Sequence, residues 1–181
     1  MKVLTIQNFK VYKLIENDGT AYPYNIPNNR DWYPEELIAR DTYFSEYNKR
    51  HNSEYKNFFW VFSSIIDDNG SIDLNNVDKN LISIISGMVG LKLSEPSSYY
   101  AINLEIPNDI ILEIDFYDYT DSICDIKQFP MIPEMYNVNK QHRDVQGIIP
   151  YIDRKWVTNV MCLSEIIGDA DSNSFKLSNL F

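Results

Sequence analysis

The chain has 181 residues, 44% hydrophobic and 14% aromatic, enough apolar material for one core and too much for a disordered segment. No stretch approaches the ~20 consecutive apolar residues of a membrane span, and Met-Lys-Val-Leu-Thr-Ile-Gln-Asn at the N-terminus has no apolar signal-peptide core. A net charge of −10 argues against direct, non-specific binding to nucleic-acid backbones, which requires clustered Lys and Arg.

In chain order, Lys2 to Ile6 reads as a first strand, followed by a helix over about 8–16 with Val11, Leu14 and Ile15 at helical spacing and Gly19 beyond its end. Residues 20–33 form a loop ending in Arg30-Asp31-Trp32-Tyr33. Pro34, Glu35 and Glu36 then open a helix to about Arg50, with Leu37, Ile38, Phe44 and Tyr47 as the expected buried stripe. Asn57 to Ser63 is β-branched and aromatic and reads as a central strand, and Asp67-Asp68-Asn69-Gly70 is a turn. Leu81, Ile84, Ile85 and Met88 predict a helix over 74–88, ended by Gly87 and Gly90.

Tyr99 to Phe116 has the pattern of a hairpin. Ile102, Leu104 and Ile106 alternate with Asn103 and Glu105; Ile110, Leu112, Ile114 and Phe116 alternate with Glu113 and Asp115. Pro107-Asn108-Asp109 supplies a turn. That register pairs Ile106 with Ile110, Leu104 with Leu112 and Ile102 with Ile114, and places Asn103 opposite Glu113 and Ala101 opposite Asp115. A short helix is expected from Tyr117, then an irregular stretch to Pro150. Ile152, Trp156, Val160 and Leu163 predict a last helix over 150–163, and a polar tail near 168–174 is expected to fray. The fold expected is α+β: one domain with an antiparallel or mixed sheet, a central hairpin at 99–116, and helices near 34–50 and 150–163.

Four segments carry a family resemblance. Leu4-Thr5-Ile6-Gln7, Phe59-Trp60-Val61-Phe62, Leu104-Glu105-Ile106-Pro107 with Leu112 and Asp115-Phe116, and Gln146 with Arg154-Lys155-Trp156-Val157 are similar, in this order, to the bacterial family called DUF3841, whose function is uncharacterised. The resemblance spans most of the chain and implies a shared fold. The family pattern places a Trp-His pair shortly after Asp-Phe; this chain has Tyr119-Thr120 there, so any chemistry of that pair is absent.

Candidate sites are few. His51 and His142 lie in no nucleophile motif and read as surface histidines, and Cys124 and Cys162, without CxxC spacing, read as free thiols in a reduced, cytoplasmic setting. No glycine-rich phosphate loop is present, and neither cofactor nor metal is expected. Glu113 and Asp115 share a strand face, which suits either a solvated surface or a carboxylate pair for acid–base or divalent-metal work. Seven acids (Glu105, Asp109, Glu113, Asp115, Asp118, Asp121, Asp125) and no Lys or Arg fall between Tyr99 and Ile126, which suits either a solubilising face or a surface complementary to a basic groove. Trp60 and Trp156 read as core; Arg30, Trp32 and Tyr33 read either as a loop-borne hot spot or as a staple on the following helix.

These features lead to a non-enzymatic protein that binds a basic protein surface through Arg30, Trp32, Tyr33, Glu105, Glu113, Asp115, Asp118, Tyr119 and Asp121. Phage- or mobile-element-borne inhibitors of nucleic-acid-cutting defence nucleases, anti-CRISPR proteins among them, share this composition. The alternative is a nucleotide-modifying enzyme of the ADP-ribosyltransferase-like type, with Arg30 or Arg40 and Glu105 or Glu113 standing in for its catalytic groups.

Overall fold

A computed structural model describes residues 1–23, 34–89, 96–124, 133–136, 138–141 and 143–168. Helices and a six-stranded, antiparallel sheet give the α+β architecture expected from the sequence. The sheet order is β10 (Val157–Cys162), β6 (Tyr99–Glu105), β1 (Lys2–Asn8), β3 (Phe59–Ser64), β8 (Val145–Ile149), β7 (Leu112–Asp115). Two small ladders accompany it, β2 (Thr20–Ala21) with β9 (Ile152–Asp153), and β4 (Ile66–Asp67) with β5 (Gly70–Ser71) around the expected 67–70 turn.

Local signals set the first elements. Asn8 caps α1 (Phe9–Asp18) by accepting the Val11 N–H at 3.1 Å, and Gly19, at φ 75°, ends it in the left-handed conformation that glycine adopts without strain. α2 (Pro34–His51) forms where expected, but its buried stripe is Ala39, Tyr43 and Tyr47, while Ile38 is exposed and Leu37 and Phe44 are half-buried. Tyr47 is buried as expected, and Tyr43 joins it, because their hydroxyls find acceptors inside: Tyr43 donates to the Leu112 carbonyl at 2.6 Å and Tyr47 to the Ile110 carbonyl at 2.9 Å. α3 runs Lys79–Val89, so Leu74 precedes it and Gly87 lies inside it; Gly90 is outside the described residues.

The 99–116 hairpin does not form. β6 pairs with β1 (Val3 with Leu104, Leu4 with Asn103) and with β10, while β7 pairs only with β8 (Leu112 with Ile148, Glu113 with Gly147). None of the predicted cross-strand pairs exists, because three strands separate β6 from β7. Four antiparallel steps leave these two strands parallel, so residues 106–111 form a crossover spanning about 19 Å across the sheet. The β-turn sits within that crossover, with the Ile110 N–H donating to the Pro107 carbonyl at 3.4 Å. Ile106 instead extends the β1 ladder, exchanging bonds with Met1.

The predicted helix at 150–163 is also replaced. Its residues form β9, a single helical turn at Arg154–Trp156, and edge strand β10. Spacing of four between Ile152, Trp156 and Val160 imitates a helix, but β-branched Val157, Thr158 and Val160 favour a strand. α4 (Phe116–Cys124) and α5 (Leu163–Ile167) complete the fold.

Alternation along the strands builds two faces. Val3, Val61, Ile102, Leu104 and Ile149 point to one, which is covered by Val11 and Ile15 of α1, by Trp156 and by Ile111 of the crossover. Leu4, Phe62 and Ala101 point to the other, under α3 and α5. Farther along that second face, Leu112, Ile114 and Ile148 lie under α2 and Tyr119 of α4, with Trp60 half-buried among them. No helix among the described residues is long and apolar enough to cross a membrane.

Candidate functional site

The carboxylates singled out in the sequence are tied into the scaffold. Asp115 is only 6% exposed; its Oδ1 accepts the Tyr117 and Asp118 N–H groups at 3.0 and 3.1 Å, capping α4, and its Oδ2 lies 3.7 Å from Arg143 Nε. Glu113 is mostly buried and pairs with Lys140 at 2.5 Å. Asp144, also buried, accepts the Ile66 N–H at 2.7 Å, and its carboxylate accepts a hydrogen bond from the Tyr117 hydroxyl, which raises the Tyr117 phenol pKa. Together these acids fasten the segment before β8 to β4 and α4. The expectation of a solvated Glu113–Asp115 face is therefore corrected: on edge strand β7 the segment around Lys140 and Arg143 covers it.

The other proposed residues scatter. Tyr119 is buried against Tyr43 and Trp60, with ring centroids 5.8 and 5.6 Å away, so it has no free face for a partner. Glu105 is exposed at the end of β6, four strands from Glu113. Asp118 is half-buried on α4. Arg30, Trp32, Tyr33, His142 and the side chains of Asp121 and Cys124 lie outside the described residues, as does the tail beyond residue 168. Cys162 is a free thiol. Arg40 lies on α2, 2.8 Å from Asp41. Among the described residues, no group of three His, Cys, Asp or Glu side chains converges on a point.

What the fold does assemble is an aromatic cleft of about 380 Å³. Four segments meet there: the C-terminal end of α2, the loop after it, the crossover turn, and the chain leaving β8. One wall is Tyr47, His51 and Tyr55. His51 stacks flat on Tyr47, with centroids 4.0 Å apart, and its Nδ1 donates to the Tyr47 carbonyl at 2.9 Å; Tyr55 meets Tyr47 edge-on at 6.4 Å. The other wall is Tyr151 stacked on Trp156 at 5.0 Å, extended outward by Tyr22 at 5.8 Å. Pro107, Asp109 and Ile110 of the crossover close one side.

The polar groups of the cleft are few and ordered. Burial, and then the neighbouring Tyr55, Tyr151 and Asp109, push the Tyr47 phenol pKa up, so this hydroxyl stays protonated and bonded to Ile110. Lys155 stands 5.7 Å from the Trp156 ring centre and 2.9 Å from Asp153 Oδ2, which raises the ammonium pKa and lowers that of the carboxylate. Sequence reasoning missed the cleft because Asp109 and Tyr151 are dozens of residues from Tyr47 and Tyr55 and from each other; only the high tyrosine content hinted at it.

Comparison with family models, with curated proteins and with solved structures finds no match to this chain.

Proposed function

We propose that this chain is a binding protein that engages a basic protein partner, and that the aromatic cleft is where it does so. The observation that carries this reading is the pairing of two stacked aromatic walls around an open cleft in a chain of net charge −10. Rigid aromatic rings supply large contact area at little entropic cost, and they dominate binding hot spots. The surrounding negative field speeds encounter with a positively charged surface and disfavours an acidic one. Glu113 and Asp115, engaged in holding the scaffold, contribute to that field and not to direct contact.

Calorimetric titration with basic peptides, run beside NAD and mononucleotides, tests the reading. Binding confined to the basic peptides, weakening as salt rises and lost in Tyr55→Ala, supports it. Binding of NAD or a nucleotide in their place would favour the ADP-ribosyltransferase-like alternative.

A further inference from the structure

The charges bordering the cleft differ in how they are committed, and that difference selects a ligand. Lys155 is held by Asp153 at 2.9 Å, so its charge is largely answered within the chain. Asp109, exposed on the crossover turn that lines the same cleft, makes no ion pair or hydrogen bond to the described residues. Tyr55, 38% exposed and lining the same cleft, offers ring area to solvent, and so does Tyr22, 59% exposed, against Tyr151. The lip with an uncommitted charge is thus negative, and the surfaces next to it are aromatic.

Resting on the binding function proposed above, we infer that the cleft takes the guanidinium group of an arginine side chain from a basic partner, stacked against the tyrosine walls with Asp109 as its counter-ion. A guanidinium is planar, weakly hydrated and permanently charged, so it stacks on aromatic faces while its N–H groups reach a carboxylate. A lysine ammonium is a compact, strongly hydrated charge that gives up more on entering such a slot. A nucleotide would stack its base equally well, but its phosphates would meet Asp109 and Asp153 in a chain already at −10, and Lys155, the one ammonium among the described residues lining the cleft, is paired with Asp153.

The test is calorimetry with the full chain and three acetylated, amidated pentapeptides that differ only at the centre: arginine, citrulline or lysine. Citrulline keeps the shape of arginine and removes its charge. The arginine peptide should bind at least about tenfold more tightly than the citrulline peptide, a difference within the range of a single cation–π contact combined with an ion pair. Asp109→Asn should remove most of that preference and leave citrulline binding unchanged; Tyr55→Ala should weaken both. Both positions are at the surface, and an unchanged melting midpoint identifies variants that still fold. Equal affinity for arginine and citrulline, or an arginine preference insensitive to Asp109→Asn, overturns the assignment. If the arginine preference fails in this way but citrulline, NAD or a mononucleotide binds and Tyr55→Ala abolishes that binding, the cleft remains a site and only the arginine assignment falls. If none of these probes binds, the assignment and the binding role of the cleft fall together.

Discussion

The Ile111 side chain fills the space that a Cβ on Gly147 would need, its Cδ1 standing 2.6 Å from that position and its Cγ1 2.8 Å. This contact seats the crossover on the sheet: Gly147 lies in β8 opposite Val61 and Glu113, and its missing side chain lets residues 106–111 pass close over the face. Gly147→Ala should therefore cost about 1–3 kcal/mol, as overpacked core sites do. Gly87, inside α3 with open space around it, provides the contrast: Gly87→Ala should be neutral or stabilise by about 0.4–1 kcal/mol. Urea midpoints for the two variants check both signs.

Tyr43 and Tyr47 tie α2 to the strand that the crossover delivers. Removing one hydroxyl in Tyr43→Phe deprives the Leu112 carbonyl of its 2.6 Å donor and should destabilise by about 1 kcal/mol. Tyr47→Phe should do the same at Ile110, and in addition loosen the crossover turn that forms one side of the cleft. Thermal unfolding of each variant measures the loss, and no change in either would contradict the buried hydrogen bonds described here.

Asp115 separates the scaffold role of the acidic run from a contact role. Asp115→Ala should lose about 1 kcal/mol through the α4 cap, while Asp115→Asn, which keeps an accepting oxygen, should lose less. Equal stability of wild type and Asp115→Ala, by denaturant unfolding, would restore the solvated face expected from the sequence.

Those expectations succeeded where the signal is local. Asn8 and Gly19 mark the ends of α1 because a cap and a left-handed glycine act within one turn, and β1 and β3 announce themselves by β-branched and aromatic residues. They failed where a local pattern admits two global answers. The alternating residues around Pro107-Asn108-Asp109 satisfy a hairpin, yet the strands they form find partners elsewhere, since Met1, Leu4 and Val145 lie far away in sequence. Ile152 and Trp156 fit helical spacing and still belong to a strand and a turn. The cleft was out of reach for the same reason: it depends on where the crossover places Asp109 and Ile110 against Tyr47 and Tyr151.

Alkaline pH should unfold the chain through its buried tyrosines. Burial raises the phenol pKa values of Tyr43, Tyr47 and Tyr136 above the ordinary 10.0, that of Tyr136 to about 12. Because the folded values are the higher ones, the unfolded chain loses these protons first, and stability that is complete below pH 10 falls as pH climbs toward 12 and beyond. Absorbance at the phenolate band, followed together with far-ultraviolet circular dichroism, should show these tyrosines ionising only as secondary structure is lost. Ionisation of every tyrosine near pH 10 with the fold intact would contradict their burial.

The aromatic cleft, and not the acidic run from Tyr99 to Ile126, is the proposed binding face, and amide resonances of the isotope-labelled chain report on the choice directly. Titration with the arginine-centred peptide should shift Tyr47, His51, Tyr55, Asp109, Ile110 and Tyr151, and the same titration of Tyr55→Ala should leave these signals in place. Shifts centred on Glu105, Asp118 and the rest of α4, with the cleft residues silent, would contradict it.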